Sequence, residues 1–192
     1  MRIAVIGTGN IGGTLGRRWR ETGQDVVYGV RNPGGAPSSG PGGAPIAAIP
    51  EAVTSAEVVL LAVPGPAVPE LVSSLGGALD GKVVIDATNR IGEAEANSHA
   101  AIADAAPGAR YVRAFNTLGW ENFADPLPGT DLFFASDPEA RATVEELVSG
   151  IGLGPVYVGG ADAVRAVDSL LGLWFALIKE NGTRKLAFRL VR

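Results

Sequence analysis

The stretch RIAVIGTGNIGGTL, residues 2–15, constrains the fold more than any other part of the chain. Arg2 to Ile6 is a short apolar run suited to a buried parallel strand. It leads directly into Gly7-Thr8-Gly9-Asn10-Ile11-Gly12, a G-x-G-x-x-G element, after which Leu15 and Trp19 fall at helical spacing. Strand, glycine turn and helix together are the context that gives this motif physical meaning. Gly7 permits the tight turn, Gly9 lets the backbone approach a pyrophosphate, and Gly12 lets helix and strand pack closely. The helix N-terminus adds unpaired N–H groups and the positive end of its dipole. A glycine turn that binds nothing is the weaker reading, because both flanking elements are in place.

The chain after this loop specifies the dinucleotide. Gly23 is a candidate C-cap, and Asp25 to Val30 (DVVYGV) reads as the second strand. An NAD-binding unit carries Asp or Glu about 20 residues past the glycines, at the end of that strand. Here the position reads Val30-Arg31-Asn32, and the next acidic residue is Glu51. Arg31 therefore predicts a partner for a ribose 2′-phosphate, which a guanidinium binds bidentately, and Thr8 can add a hydroxyl. The expected cofactor is NADP(H) rather than NAD. A solvated surface arginine is the alternative for Arg31.

Composition removes several other classes. A chain of 192 residues builds one substantial core. Its formal charge of −4 argues against nucleic acid as a partner. Cysteine is absent, so disulfides, thiol nucleophiles and cysteine metal sites are excluded, and no metal site is expected. The longest apolar run, residues 170–178, is too short to span a bilayer. No signal peptide is expected before the first strand. A soluble cytoplasmic protein without membrane partners is the expectation.

Residues 32–45 (NPGGAPSSGPGGAP) have no hydrophobic period and predict a mobile loop beside the adenine end. Ile46 to Ile49 reads as a weak third strand, followed by a helical turn or two over Pro50 to Ser55. Glu57 to Val63 (EVVLLAV) lacks alternation and should be a central strand, with a helix from Ala67 to Leu79 behind it. Lys82 to Ala87 is the next strand. In a doubly wound sheet the carboxyl ends of the strands form the ligand crevice. Ala62, Val63 and Pro64, and Ala87, Thr88 and Asn89, should therefore flank the nicotinamide end. Thr88 and Asn89 can equally cap the following turn.

Gly92 to Ala106 reads as an Ala-rich helix bearing the one histidine, His99, which is expected at the surface rather than in acid–base work. Further strands are expected at Tyr111 to Phe115, Leu132 to Ser136 and Val156 to Val158, with a helix from Asp137 to about Ser149. Asp162 to about Lys179 gives a last amphipathic helix, with Val164, Val167, Leu170, Leu171, Trp174 and Ile178 on one side. The tail Lys185 to Val191 suits a final strand. The fold class is α/β: a Rossmann-type, doubly wound, mostly parallel sheet with a small C-terminal helix/strand extension. Residues 1–118 form the NADP-binding domain in this reading and 119–192 the extension that completes the sheet and the acceptor pocket, or the two make one continuous domain.

With these pieces in order the chain resembles the coenzyme F-420-dependent NADP oxidoreductase family, which includes the cytosolic domains of membrane ferric reductases. The resemblance rests on IGTGNIGG at 6–13, YGVRNP at 28–33, LAVP at 61–64, IDATN at 85–89, RAFNTLGWENFADP at 113–126 and the closing LGLWFALI helix. It implies NADP(H) across the strand ends and a deazaflavin (F-420) or flavin as second substrate, with hydride passing directly between the rings. No side chain then acts as acid or base, and the protein's task is positioning and exclusion of water. By the resemblance Gly7, Thr8, Gly9, Asn10, Ile11 and Gly12 hold the pyrophosphate, and Arg31 and Asn32 address the 2′-phosphate. Ala62 to Pro64 and Ala87 to Asn89 border the nicotinamide. Asn116 lies nearest the hydride-transfer site, and Thr117 and Trp174 belong to the acceptor side.

Three positions depart from the family pattern. Val30 stands where a serine is common, Gly65 where a tryptophan is common, and Asn116 where a histidine is common. The last two bear on the acceptor, so two other readings stay open: a reductase of a small imine or keto compound, and a non-catalytic NADP-binding redox sensor. Lys179 and Asn181 lie two apart, beyond the apolar helix, and do not face one way, which counts against the hydroxyacid type of the former. Trp174 and Phe175 either line the acceptor pocket or pack the helix, and its apolar character predicts a homodimer.

Overall fold

The computed structural model describes residues 1–191. Its strands β1 (Arg2–Ile6), β2 (Asp25–Val30), β3 (Ile46–Ala48), β4 (Val58–Leu61), β5 (Val83–Asp86) and β6 (Arg110–Arg113) are mutually parallel. Two more, β7 (Asp131–Ser136) and β8 (Gly154–Gly159), continue the same sheet. β7 is antiparallel to β6, and β8 is parallel to β7. The spatial order is β3-β2-β1-β4-β5-β6-β7-β8. The first six strands thus have the 3-2-1-4-5-6 order of a Rossmann sheet, which reverses direction beside β1 and opens a crevice there.

Unbroken apolar runs are possible because both faces of the sheet are covered. Ile3 and Val5 of β1 and Val58 and Leu60 of β4 enter one core layer. Their neighbours Ala4, Ile6, Val59 and Leu61 enter the other. The first layer is closed by α1 (Asn10–Glu21), α5 (Trp120–Ala124) and α6 (Arg141–Gly150), through Leu15, Trp19, Phe123, Val144 and Leu147. The second is closed by α2 (Ile49–Thr54), α3 (Val68–Leu75) and α4 (His99–Ala105), through Val53, Val68, Val72 and Ile102. Trp19 needs a partner for its indole N–H when buried, and it donates to the Leu147 carbonyl at 3.1 Å.

The final helix, α7 (Val164–Asn181), serves both layers. Val164 and Val167 belong to the core layer that α2 to α4 close, whereas Trp174 belongs to the opposite one. Between them Asp168 reaches the end of β6, where Arg113 Nε donates to its carboxylate at 2.7 Å. Gly182 caps the helix with φ +66°, in the left-handed conformation that an Asn-Gly pair favours. Among the described residues no helix is long and apolar enough to cross a membrane.

Three expectations differ from the observed chain. Residues 32–45 do not stand free: Ala44 is buried, Pro41 lies against Gly13, and Gly40 lies flat on the Tyr28 ring. The glycines that looked merely flexible are the surfaces against which α1 and Tyr28 pack. The helix expected from Gly92 begins only at His99. Backbone groups of residues 87–98 are claimed by long-range partners instead. Ser98 N–H donates to Asp86 at 2.7 Å and Arg90 N–H to the Ala96 carbonyl at 2.9 Å, and Gly92 has φ +90°. Such tertiary contacts override the helix preference of alanine. The tail forms a single antiparallel bridge, Phe188 to Asp131, rather than a strand.

Candidate functional site

The glycine loop joins β1 to α1, and each of its glycines has a separate geometric reason. Gly7 has φ +114°, and a Cβ there would overlap the Ala62 carbonyl and lie 2.8 Å from its carbon. A Cβ on Gly12 would overlap the Gly7 carbonyl oxygen and stand 3.1 Å from Val5 Cγ1. These two glycines close the turn and bring α1 onto the sheet. Gly9 is different: φ is −72°, and an added Cβ would meet nothing within 4 Å. It is glycine without any internal crowding, at an exposed position that faces open space. Thr8 and Asn10 beside it are exposed and Ile11 is half-buried. The first turn of α1 carries no acidic residue, so its free N–H groups present undiminished positive potential. These features fit a pyrophosphate lying across Gly9, the role a glycine at that position has in dinucleotide folds.

A cleft of about 440 Å³ lies between the ends of β2 and β4 and the helices α2 and α3. Val30 and Arg31 form one wall, Ala48 to Pro50 the floor, and Val63, Pro64, Ala67 and Leu71 the other wall, with Glu70 and Ser74 at the polar edge. Arg31 is exposed and makes no ion pair or hydrogen bond with another described residue. A free guanidinium at the rim of an apolar cleft suits an adenosine with a phosphate on its ribose. Asn32 is also exposed, over the turn Pro33–Gly35. Glu70 and Ser74 carried no signal in the sequence, because they enter the cleft from α3 only through the crossing of β4 and β5.

At the other end of the crevice the expected residues converge, but their polar groups are already engaged. Ala87 is 7 % exposed and Thr88 3 %. The Thr88 hydroxyl and backbone N–H both donate to Asp86 Oδ1, at 2.6 and 3.0 Å. The Asn89 side chain donates to the Asn116 carbonyl at 2.9 Å and accepts from Arg113 at 3.0 Å. Asn116 Nδ2 donates to Asp168 at 3.2 Å, which leaves Asn116 Oδ1 buried without a protein donor. Because a carboxylate only accepts, this amide orientation is forced. Thr117 is 1 % exposed. Phe115 holds φ +61°, the one non-glycine positive φ among the described residues, and is wedged edge-on between Trp19 and Phe123 with centroids 5.6 Å apart. That turn directs Asn116 toward α7.

The buried charges beneath this end had not been singled out in the sequence. Asp86, Arg113 and Asp168 lie on β5, β6 and α7, and nothing in their spacing signals that they meet. Asp86 also accepts from the Tyr111 hydroxyl at 3.1 Å. Burial and the neighbouring Asp86 charge push the Tyr111 phenol well above its ordinary range, so it stays a neutral donor.

Trp174 does not open toward the strand ends. It is 3 % exposed, its indole donates to the Leu186 carbonyl at 3.2 Å, and the Arg184 guanidinium covers the ring at 5.0 Å. Phe175 points outward and is 43 % exposed. His99 is half-buried rather than free at the surface, with its ring 4.6 Å from that of Tyr111. It lines a second cavity of about 410 Å³ with Arg90, Asn97, Ser98, Asp162 and Arg165, which includes none of the loop glycines. Gly65 is required locally, since a Cβ would stand 2.6 Å from the Asn89 carbonyl oxygen and 2.7 Å from Arg90 Cγ. The tryptophan that the family resemblance would place here has no room.

Fold and loop define a dinucleotide-binding protein of the Rossmann class. Residues 2–90 match the model of the family "NADP oxidoreductase coenzyme F420-dependent", a little under half of the chain. Over 177 residues the chain is 29% identical to the metalloreductase STEAP3 of Rattus norvegicus, covering 88% of this chain and 36% of that protein. The chain thus spans about a third of this relative's length. Among solved structures, a candidate F420-dependent NADP-reductase from Arthrobacter sp. FB24 superposes with TM-score 0.88 at 24% identity, covering 100% of both chains. An imine reductase from Pseudomonas sp. superposes with TM-score 0.75 at 19% identity over 93% of this chain and 63% of that one. At these identities the two structures establish the shared fold.

Proposed function

We propose that the chain is an NADPH-dependent oxidoreductase that exchanges hydride directly with a deazaflavin (F-420) or flavin-type ring. The observation that carries the reading is the pairing of an open Gly9 with an unpaired Arg31. Backbone N–H groups at the start of α1 receive the pyrophosphate, the Val63–Leu71 wall receives the adenine, and Arg31 selects the 2′-phosphate. When bound, NADPH supplies the hydride.

The strand ends support transfer between rings in particular. Reduction of an imine or ketone ends with a proton delivered to nitrogen or oxygen, which needs a positioned donor. The Thr88 hydroxyl is bound to Asp86, and the Asn89 and Asn116 amides, which give up no proton, each place one N–H, on the Asn116 carbonyl and on Asp168 respectively. Ring-to-ring hydride transfer leaves its negative charge delocalised over the reduced ring, which can take a proton from solvent afterwards, so it needs orientation rather than a positioned donor. The family matched by residues 2–90 and the Arthrobacter reductase are both F420-dependent by name, which favours a deazaflavin as the acceptor.

The test mixes purified protein and NADPH with F-420, FMN or a ferric chelate in turn and follows NADPH absorbance. Turnover with F-420 or a flavin supports the proposal. Binding of NADPH without turnover of any acceptor marks a redox sensor instead. Turnover of a cyclic imine or keto acid in preference to the ring acceptors overturns the proposal.

A further inference from the structure

The groups committed at the nicotinamide end are committed to one buried arginine, Arg113, and to the two carboxylates paired with it, Asp86 and Asp168. Arg113, the last residue of β6, is fully buried. Its Nε donates to Asp168 at 2.7 Å. One terminal nitrogen donates to the carbonyls of Asp86 at 3.1 Å and Thr88 at 2.5 Å, and the other to Asn89 Oδ1 at 3.0 Å. The guanidinium therefore holds the segment after β5 from beneath, along its backbone. Asp168, on α7, accepts from Arg113, from Asn116 Nδ2 at 3.2 Å, and from Asn97 Nδ2 at 2.9 Å. One carboxylate thus joins the turn after β6, the far end of the 87–98 loop, and a helix well outside the matched segment 2–90.

A buried ion pair that served only the core could sit anywhere in the sheet. Here every neutral donor and acceptor it engages belongs to the segments that border the strand ends, and none lies in the middle of a strand. Replacing a buried pair with apolar residues is often neutral for stability, so stability alone does not account for it.

We infer that Arg113 and Asp168 are a positioning pair, which locks the 87–98 loop and α7 into the arrangement that receives the nicotinamide half of NADP(H). The inference rests on the proposed NADP-binding reading, and it makes affinity at the nicotinamide end depend on a helix that never touches the adenosine end. Neither residue contacts the reacting atoms; both act through Thr88, Asn89 and Asn116.

The experiment compares dissociation constants for NADPH and for adenosine 2′,5′-bisphosphate, which lacks the nicotinamide half, in wild type and Asp168→Asn. The variant keeps size but replaces one acceptor by an NH₂, so one of the three donors loses its partner. The expected result is an unchanged constant for the bisphosphate, within about 2-fold, and NADPH affinity reduced about 10-fold, as for loss of a hydrogen bond to a charged group. Equal weakening of both ligands, or of neither, overturns the inference while leaving the NADP reading intact. Failure of the bisphosphate and NADPH to bind the wild type overturns the NADP reading, and the inference with it. Should Asp168→Asn not fold, Asn97→Ala removes a single donor. It should give the same split at about 3-fold, and absence of the split there also refutes the pair's role.

Discussion

Gly9 and Gly12 sit three residues apart in one loop, yet the structure gives them opposite reasons for being glycine. Substituting alanine at each separates binding from folding. At Gly12 the methyl would overlap the Gly7 carbonyl oxygen, a backbone atom that cannot swing aside, with Val5 Cγ1 at 3.1 Å behind it. Overpacking of this kind costs roughly 1–3 kcal/mol, and in a chain of this size about 2–4 °C of Tm per kcal/mol. Gly12→Ala should therefore melt roughly 2–12 °C below wild type. At Gly9 the methyl meets nothing within 4 Å and φ is −72°. Such a site tolerates alanine, and the stiffer unfolded chain stabilises the fold by about 0.4–1 kcal/mol. The same methyl stands in the space left for the pyrophosphate and blocks its approach to the α1 N–H groups. Loss of one charge-assisted hydrogen bond, about 1.5–3 kcal/mol, lowers NADPH affinity at least about 10-fold. Urea unfolding and NADPH fluorescence titration of both variants measure the two effects separately. Wild-type NADPH affinity in a stably folded Gly9→Ala would refute the reasoning, because the open space would then not be the phosphate site.

Arg31→Ala should weaken NADPH by about 10-fold or more while leaving NADH nearly unchanged, since the guanidinium addresses only the 2′-phosphate. Equal losses for the two nucleotides in parallel titrations would remove that role. Asp86→Asn should cost about 1–3 kcal/mol in urea unfolding, because the buried carboxylate accepts from Thr88, Ser98 and Tyr111 and an amide cannot accept all of them, while Arg113 keeps its pair with Asp168. A loss under about 1 kcal/mol would show that the cluster is not held by that carboxylate. Burial pushes the Tyr28 phenol from 10.0 up to about 12, with Arg20 and Arg17 opposing. A phenol with a raised value favours the fold below pH 10 and loses that contribution as pH rises through 12. Tyr111 adds to the same limb, its phenol also being raised. Stability should decline above pH 10, and Tyr28→Phe should make the decline shallower. A decline just as steep in the variant would contradict this.

The dinucleotide half was legible in the sequence because it is local. Arg2–Ile6, Asn10–Glu21 and Asp25–Val30 follow one another with short connections, and each glycine answers to a neighbour in the same unit or in the adjacent strand. The proposed role of Arg31 rests on its offset along the chain and on its place at the rim of the cleft. The nicotinamide end was less legible because its chemistry is assembled from afar. Asp86, Arg113 and Asp168 lie on three elements, and their meeting depends on α7 crossing from one core layer to the other. That long-range cluster also cancels the helix suggested by the alanines before His99 and turns Thr88, Asn89 and Asn116 into parts of an internal network. Trp174 looked like a pocket residue by its helical position, whereas the tail at Leu186 and Arg184 folds over it. A pattern of helix faces cannot disclose which loop covers them.

The central claim is a direct hydride exchange between NADPH and a second ring on this chain. It is tested most directly by loading the protein with NADPH deuterated on the transferring face of the nicotinamide and adding oxidised F-420. Direct transfer leaves the deuterium on the hydride-accepting ring carbon of the reduced deazaflavin, without exchange with water. Reduction with solvent hydrogen at that carbon, or stable binding of both molecules with no transfer to any ring acceptor, would contradict it.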